Sequence, residues 1–392
     1  MSAAHPFLRT RVAGDVARVG AIELFFDLVF VFAVTQLSHS LLANLTFDGM
    51  LKTSLLLLAV WWVWVYTSWV TNWLDPERIP VRICLFALML AGLLLSVSIP
   101  EAFADRGAVL ACAYVFMQVG RTLFFLWAAR GAPISLTRSF QRILAWFTLS
   151  AVFWIVGGFA RDEDRLAWWT LALLIEVIAP WAYFWTPGLG RSHTSDWNIE
   201  GGHLAERCGL FVIIALGESV LVTGATFAQT PWNTDTVAAF VIAVLGSMAM
   251  WWIYFDTGSE RAQHRIRRSA DPGRQGRMAY TYVHILIVAG IIVCAVADEV
   301  VLMHPEHATS AGLAAILAGP AWYLVGAALF KWATNDRKTP PLSHMAGLLL
   351  LALLTWFALG RHLSALTLGG ATTVILAVVA GWEAIAQRRP PP

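Results

Sequence analysis

Apolar runs long enough to cross a bilayer recur from one end of the chain to the other, and no other feature limits its fold so tightly. In hydrocarbon every backbone N–H and C=O needs a partner within the protein, and a helix of about 20 apolar residues meets that demand over the full thickness. Hydropathy places twelve candidate spans, at 20–43, 50–74, 81–100, 107–129, 139–159, 165–187, 203–226, 234–256, 279–302, 311–334, 341–361 and 364–387. Composition agrees: 58% of the 392 residues are hydrophobic and 13% charged, where a soluble domain carries about a quarter charged residues. The chain therefore reads as an all-α polytopic membrane protein of about twelve transmembrane helices. No segment is long enough for a separate soluble domain.

Charge then orients it. With the N-terminus inside, 20 of the 27 Lys and Arg residues collect on the inner side, five on the outer side, and two, Arg121 and Arg207, fall within spans. That asymmetry predicts both termini on the cytoplasmic side of the membrane. The first 19 residues carry Arg9, Arg11 and Arg18 but no apolar core, so no cleavable signal peptide is expected and the first span serves as its own insertion signal. A net charge of +2 sorted by loop says little about partners, and nucleic acid is not indicated. The tract RAQHRIRRSADPGRQGR over 261–277 is the densest basic run. Arg261, Arg265, Arg267 and Arg268 suit a contact with anionic lipid headgroups, and equally a bare orientation signal. Cys84, Cys112, Cys208 and Cys294 fall within spans without CxxC spacing, which suggests embedded thiols rather than a disulfide or metal framework.

The two halves repeat. Glu23 over Glu206 gives an offset of 183, which also aligns Trp69 with Trp252 and Glu77-Arg78 with Glu260-Arg261. Past an insertion in the basic loop, Ala91-Gly92 aligns with Ala289-Gly290 at 198, and Glu176 with Glu383 at 207. The expected organisation is a cytoplasmic segment over 1–19, a six-helix repeat over 20–187, a linker over 188–202, a second six-helix repeat over 203–387 and a tail over 388–392. An even number of spans returns the chain to its starting side, so the repeats should run parallel, a plan shared by transporters and channels.

Ionisable groups inside spans mark where chemistry could occur. In the stretch ELFFDLVFVFAVTQLSH, Glu23 to His39, Glu23 and Asp27 share a helix face. On insertion scales each ionised group costs roughly 2.5–3.5 kcal/mol at the membrane centre, so the pair must face protein, water or a cation. An acidic helix start held by basic partners would look the same. The second-half counterpart, AERCGLFVIIALGESVL, keeps an acid at Glu206, has Leu210 in place of Asp27, and adds Glu218 near mid-span. Arg207 and Glu218 lie roughly 16 Å apart along the helix and cannot pair directly. Gly209 and Gly217 should admit a close neighbour there.

Arg121 has the same expected depth as Glu23, Asp27, Glu206 and Arg207, which predicts a charge cluster on the inner side. Glu176 and Glu218 lie too deep to snorkel, so each is either protonated or paired with a cation, as proton or monovalent-cation passage would require. Asp256 and Glu383 sit nearer the inner interface. His284 could titrate in a proton path or simply hydrogen-bond between helices. His304 and His307 have weak metal spacing. No cofactor or metal site is indicated.

The sequence contains no GxxxxGK[ST] loop, GxSxG elbow, HExxH or strand-borne GxGxxG. That argues against ATP-driven transport, while acyl or prenyl transfer within a membrane runs without such motifs. Three functions therefore stand open: a secondary transporter or ion-conducting protein, an intramembrane lipid-modifying or cofactor-handling enzyme, and a scaffold or sensor whose buried charges serve assembly. The two opening motifs, with LLIEVIAPW (173–181) and WWIYFD (251–256), resemble the bacterial low temperature requirement A family over nearly the whole chain. The resemblance implies a multi-pass inner-membrane protein named for growth in the cold, with no established substrate, reaction or cofactor. It falls on Glu23, Asp27, Glu176, Glu206, Arg207, Glu218 and Asp256.

Overall fold

Local signals set where each helix begins and ends. The computed structural model describes residues 6–9, 19–193, 199–256, 266, 271–334, 339–359, 361 and 363–387. Among them the chain forms twelve long helices: α1 (Ala21–Ala43), α2 (Phe47–Trp73), α3 (Ile79–Ser98), α4 (Gly107–Ala128), α5 (Ile134–Phe159), α6 (Asp162–Ile178), α7 (Gly201–Gln229), α8 (Thr234–Tyr254), α9 (Gly273–Met303), α10 (Ser310–Thr334), α11 (Leu342–Leu359) and α12 (Ala365–Gln387). Asn233 opens α8 with a capping box: its side chain accepts from the Asp235 and Thr236 backbone N–H groups at 3.0 Å, and its own N–H donates to Thr236 Oγ1 at 3.1 Å. Acids in the first turn of α6, Asp162 to Asp164, complement the helix dipole.

Eleven of these helices are long and apolar enough to cross a membrane; α6 is not among them. The sixth span, expected over 165–187, ends instead at Ile178. Pro180 disfavours continued helix in the residue before it. Tyr183 and Phe184 then take φ of 51°, a left-handed conformation that turns the chain and is costly for bulky residues.

The chain divides into two compact units. The first comprises Met1–Ser40, Leu51–Arg207 and Ser269–Arg277. Its densest element is α2, whose tryptophans Trp61, Trp62 and Trp64 are fully buried, as is usual for a helix apolar on all sides. These three fill the core of the unit by helix packing. Arg165 staples the ends of neighbouring helices, donating to the carbonyls of Ala102 at 2.9 Å, Ala104 at 2.7 Å and Gly157 at 3.1 Å. Within α4 a π-helical turn over Phe116–Gly120 re-aims the side chains that follow.

The second unit comprises Leu41–Met50, Cys208–Arg268 and Met278–Pro392. Here α9 and α10 approach backbone to backbone through glycine. A β-carbon at Gly326 would lie 2.7 Å from the Ile287 nitrogen, one at Gly319 2.8 Å from the Cys294 nitrogen, and one at Gly290 would collide with the Tyr323 backbone. The close approach expected at Gly209 and Gly217 is not of this kind. A β-carbon at Gly209 would meet the Phe255 ring at 3.6 Å, and at Gly217 it would meet nothing within 4 Å among the described residues. Arg261, Arg265, Arg267 and Arg268 of the basic tract lie outside the described residues.

Candidate functional site

The first unit holds an ion network at one end, assembled around Glu23. Glu23 is the third residue of α1, and its Oε2 accepts from the Gly20 backbone N–H at 2.8 Å, the return half of a capping box. The same oxygen accepts from Arg9 Nη2 at 2.8 Å. Arg9 is held in turn by the end of α2, where its Nε donates to the Thr71 and Leu74 carbonyls at 2.9 and 3.0 Å, oxygens that a helix terminus leaves without partners. Glu23 Oε1 receives Arg207 Nη1 at 3.2 Å and meets His203 Nε2 at 2.9 Å.

Arg207 bridges the two acids. Its Nη2 donates to Asp27 Oδ1 at 2.6 Å, and that oxygen also accepts from Trp64 Nε1 at 2.8 Å. Glu23, Asp27, His203 and Arg207 are all buried. Two carboxylates face two guanidiniums, Arg9 and Arg207, so the network balances when His203 is neutral. With its proton on Nε2, His203 donates to Glu23 and leaves Nδ1 to accept from Asn72 Nδ2 at 3.4 Å. Asn72 also pins the start of α7, exchanging two 2.8 Å bonds with the Glu200 backbone. Among the described residues neither Asp27 Oδ2 nor Arg207 Nε has a hydrogen-bond partner.

A second buried acid of this unit, Glu176 on α6, has a complete shell. Its Oε2 accepts from Tyr114 Oη at 2.6 Å and Gln118 Nε2 at 2.8 Å. Its Oε1 accepts from Ser150 Oγ at 2.5 Å and Trp154 Nε1 at 3.2 Å. Gln118, carried on the π-turn of α4, passes the interaction on by accepting from Arg121 Nη2 at 2.5 Å. Arg121 also reaches α2, where Nη1 donates to the Val63 carbonyl (3.1 Å) and Thr67 Oγ1 (3.0 Å), while its Nε has no hydrogen-bond partner among the described residues.

The expected cluster is thus only partly assembled. Glu23, Asp27 and Arg207 meet, whereas Arg121 joins Glu176 through Gln118 and makes no ion pair among the described residues. Glu206 is partly buried and likewise forms no ion pair among them, because it occupies a different face of α7 from Arg207. Glu218 is buried within α7, and Asp256 is exposed just past the end of α8.

In the second unit Glu383 on α12 pairs with a buried Lys331 and accepts from Ser343 Oγ at 3.0 Å, with His344 Nδ1 at 3.1 Å. His284 Nδ1 donates to the Ala279 carbonyl at 2.9 Å and its Nε2 pairs with Tyr254 Oη at 2.7 Å, so both ring nitrogens are engaged in hydrogen bonds between and within helices. Sequence reasoning missed Arg9, His203, Lys331 and His344 as members of these clusters.

Fold and site together define a multi-pass, all-α membrane protein in which buried carboxylates are held by guanidinium, imidazole and amide donors. The chain belongs to the bacterial low temperature requirement A protein family, whose model matches residues 18–381. An uncharacterized protein of Rhizobium meliloti (strain 1021) is 40% identical over 380 residues, covering 95% of this chain and 90% of the relative. No solved structure matches the chain.

Proposed function

We propose that the protein is a secondary transporter or ion-conducting protein of the bacterial inner membrane that uses buried carboxylates to pass protons or monovalent cations. The observation that carries this reading is the open bonding capacity of the Glu23 network: Asp27 Oδ2 and Arg207 Nε are buried with no partner among the described residues. A fully satisfied network would be static glue, whereas one with a vacant acceptor and a vacant donor has a second arrangement within reach. A proton on Asp27 weakens its hold on Arg207 and frees that guanidinium for Glu23 alone. In this reading Glu23, Asp27 and Arg207 act as an inner gate, with Arg9 and His203 as its frame and Glu218 and Glu176 as acceptors deeper in the membrane.

The lysine and arginine asymmetry supports cytoplasmic termini, and the growing series of offsets supports two parallel six-helix repeats. The basic tract with Arg261 and Arg265 suits a contact with anionic headgroups. Membership of a family named for a low-temperature requirement supports a role in adaptation to cold. Flux measured in proteoliposomes under an imposed proton or potassium gradient tests the proposal. Wild type should carry an ion that the Glu218→Gln variant does not, and equal flux in both for every cation tried would overturn it.

One observation favours a second reading, a scaffold whose buried charges serve assembly. Glu176 is saturated by four side-chain donors and needs nothing further. For that residue, holding helices together explains the geometry as well as ion passage does.

A further inference from the structure

A cavity of about 20 Å3 lies in the second unit among α8, α9, α10 and α12, lined in part by Cys294, Asp298, Ile316, Pro320, Thr372 and Thr373. It admits one water-sized occupant. Asp298 makes no hydrogen bond or ion pair among the described residues. It is the one charged residue of the lining, and Cys294, four residues earlier on the same helix face, is the other titratable group. The adjacent Glu299 points elsewhere, accepting from Thr226 Oγ1 at 3.4 Å.

The rest of the polar lining consists of acceptors. Thr372 Oγ1 spends its proton on the Gly369 carbonyl at 3.0 Å and Thr373 Oγ1 on the Ile242 carbonyl at 3.4 Å, so each hydroxyl has lone pairs left and no donor. Pro320 sits inside α10 and lacks the N–H that would bond the carbonyl four residues back, which is that of Ile316. Carboxylate, hydroxyl oxygens and a released carbonyl are hard oxygen ligands, the set that suits an alkali cation. One carboxylate neutralises one positive charge. A divalent ion would leave an excess charge among Val301, Ala297 and Leu376.

We propose that Asp298, with Thr372, Thr373 and the Ile316 carbonyl, binds a single small monovalent cation that competes there with a proton. The site deepens the transport reading, on which its physiological role rests, by naming where the ion is held; binding at equilibrium is nevertheless separable from flux.

The test is protection from dicyclohexylcarbodiimide, which adds to a protonated carboxyl in apolar surroundings. Full-length protein in nanodiscs is treated in choline, lithium, sodium or potassium chloride, and modification of Asp298 is resolved from Glu299 by peptide fragmentation. Asp298 should react in choline and be protected about tenfold by at least one alkali cation at about ten times its Kd. Thr373→Val should leave Asp298 reactive but weaken that protection, and Asp298→Asn should abolish the cation-dependent rise in thermal stability.

Equal reaction in choline and in all three alkali salts, or no reaction of Asp298 in the folded protein, overturns the site. Protection without flux in liposomes would count against the transport reading alone, and flux without protection against this site alone.

Discussion

At the scale of single residues, the buried charges are unequal in what they can give up. Arg207 is shared between two carboxylates, so Arg207→Gln leaves Asp27 without a countercharge, held by Trp64 alone, and removes one of the two partners of Glu23 Oε1. The expected loss is about 3–5 kcal/mol, the usual result of removing one partner from a buried pair. It would be read as a lower midpoint of thermal unfolding in detergent. Arg207→Lys should recover little, because one ammonium cannot present two nitrogens to acids on successive turns of α1. Glu176→Gln turns an amide donor toward groups that are themselves donors, at a cost of about 1–3 kcal/mol. If Glu176 is structural, folded yield falls and flux per folded molecule is unchanged; a loss of flux at equal yield would assign it to the ion path.

Glu23, Asp27 and Arg207 were legible in the sequence because ions in an apolar run demand partners. Arg9 was not, since it precedes the first span and reads as an orientation charge; only its long side chain carries it to the end of α2. Asp298 was overlooked beside Glu299 near the end of an apolar run. The available signal was the small or apolar face of Cys294, Ala297 and Val301 that it shares.

Elements show where side-chain volume is tolerated. Gly290 and Gly217 are both mid-helix glycines that look alike in sequence, yet their surroundings are opposite. Gly290→Ala should push α9 from α10 and lower the unfolding midpoint. Gly217→Ala, with space around it, should be neutral or raise stability by about 0.5–1 kcal/mol through helix propensity. Size-exclusion profiles of the heated variants distinguish them, and equal behaviour would contradict the backbone contact. Helix positions were readable to within a few residues wherever hydropathy changes sharply. The sixth was misread because apolar residues continue past Ile178 while Pro180 and the left-handed residues Tyr183 and Phe184 end the helix. Hydropathy registers solvent preference, and it is blind to backbone geometry. The π-turn that aims Gln118 at Glu176 was equally invisible, since no residue type marks it.

For the whole molecule, class and family were legible because a bilayer imposes one pattern on every spanning segment, while function was not, because the same helices serve many ends. Orientation is open to direct measurement. With cytoplasmic termini, green fluorescent protein at the C-terminus should fluoresce, and alkaline phosphatase fused at Thr230, between α7 and α8, should be active. The reverse pattern would invert the topology. The bond from Arg207 to Asp27 spans 180 residues of sequence. At a synthesis rate of about 5–20 residues per second, a nascent first helix waits on the order of ten to thirty seconds before its guanidinium emerges from the ribosome. During that interval Asp27 has no guanidinium to meet, so the first helix gains this partner only once α7 has been made.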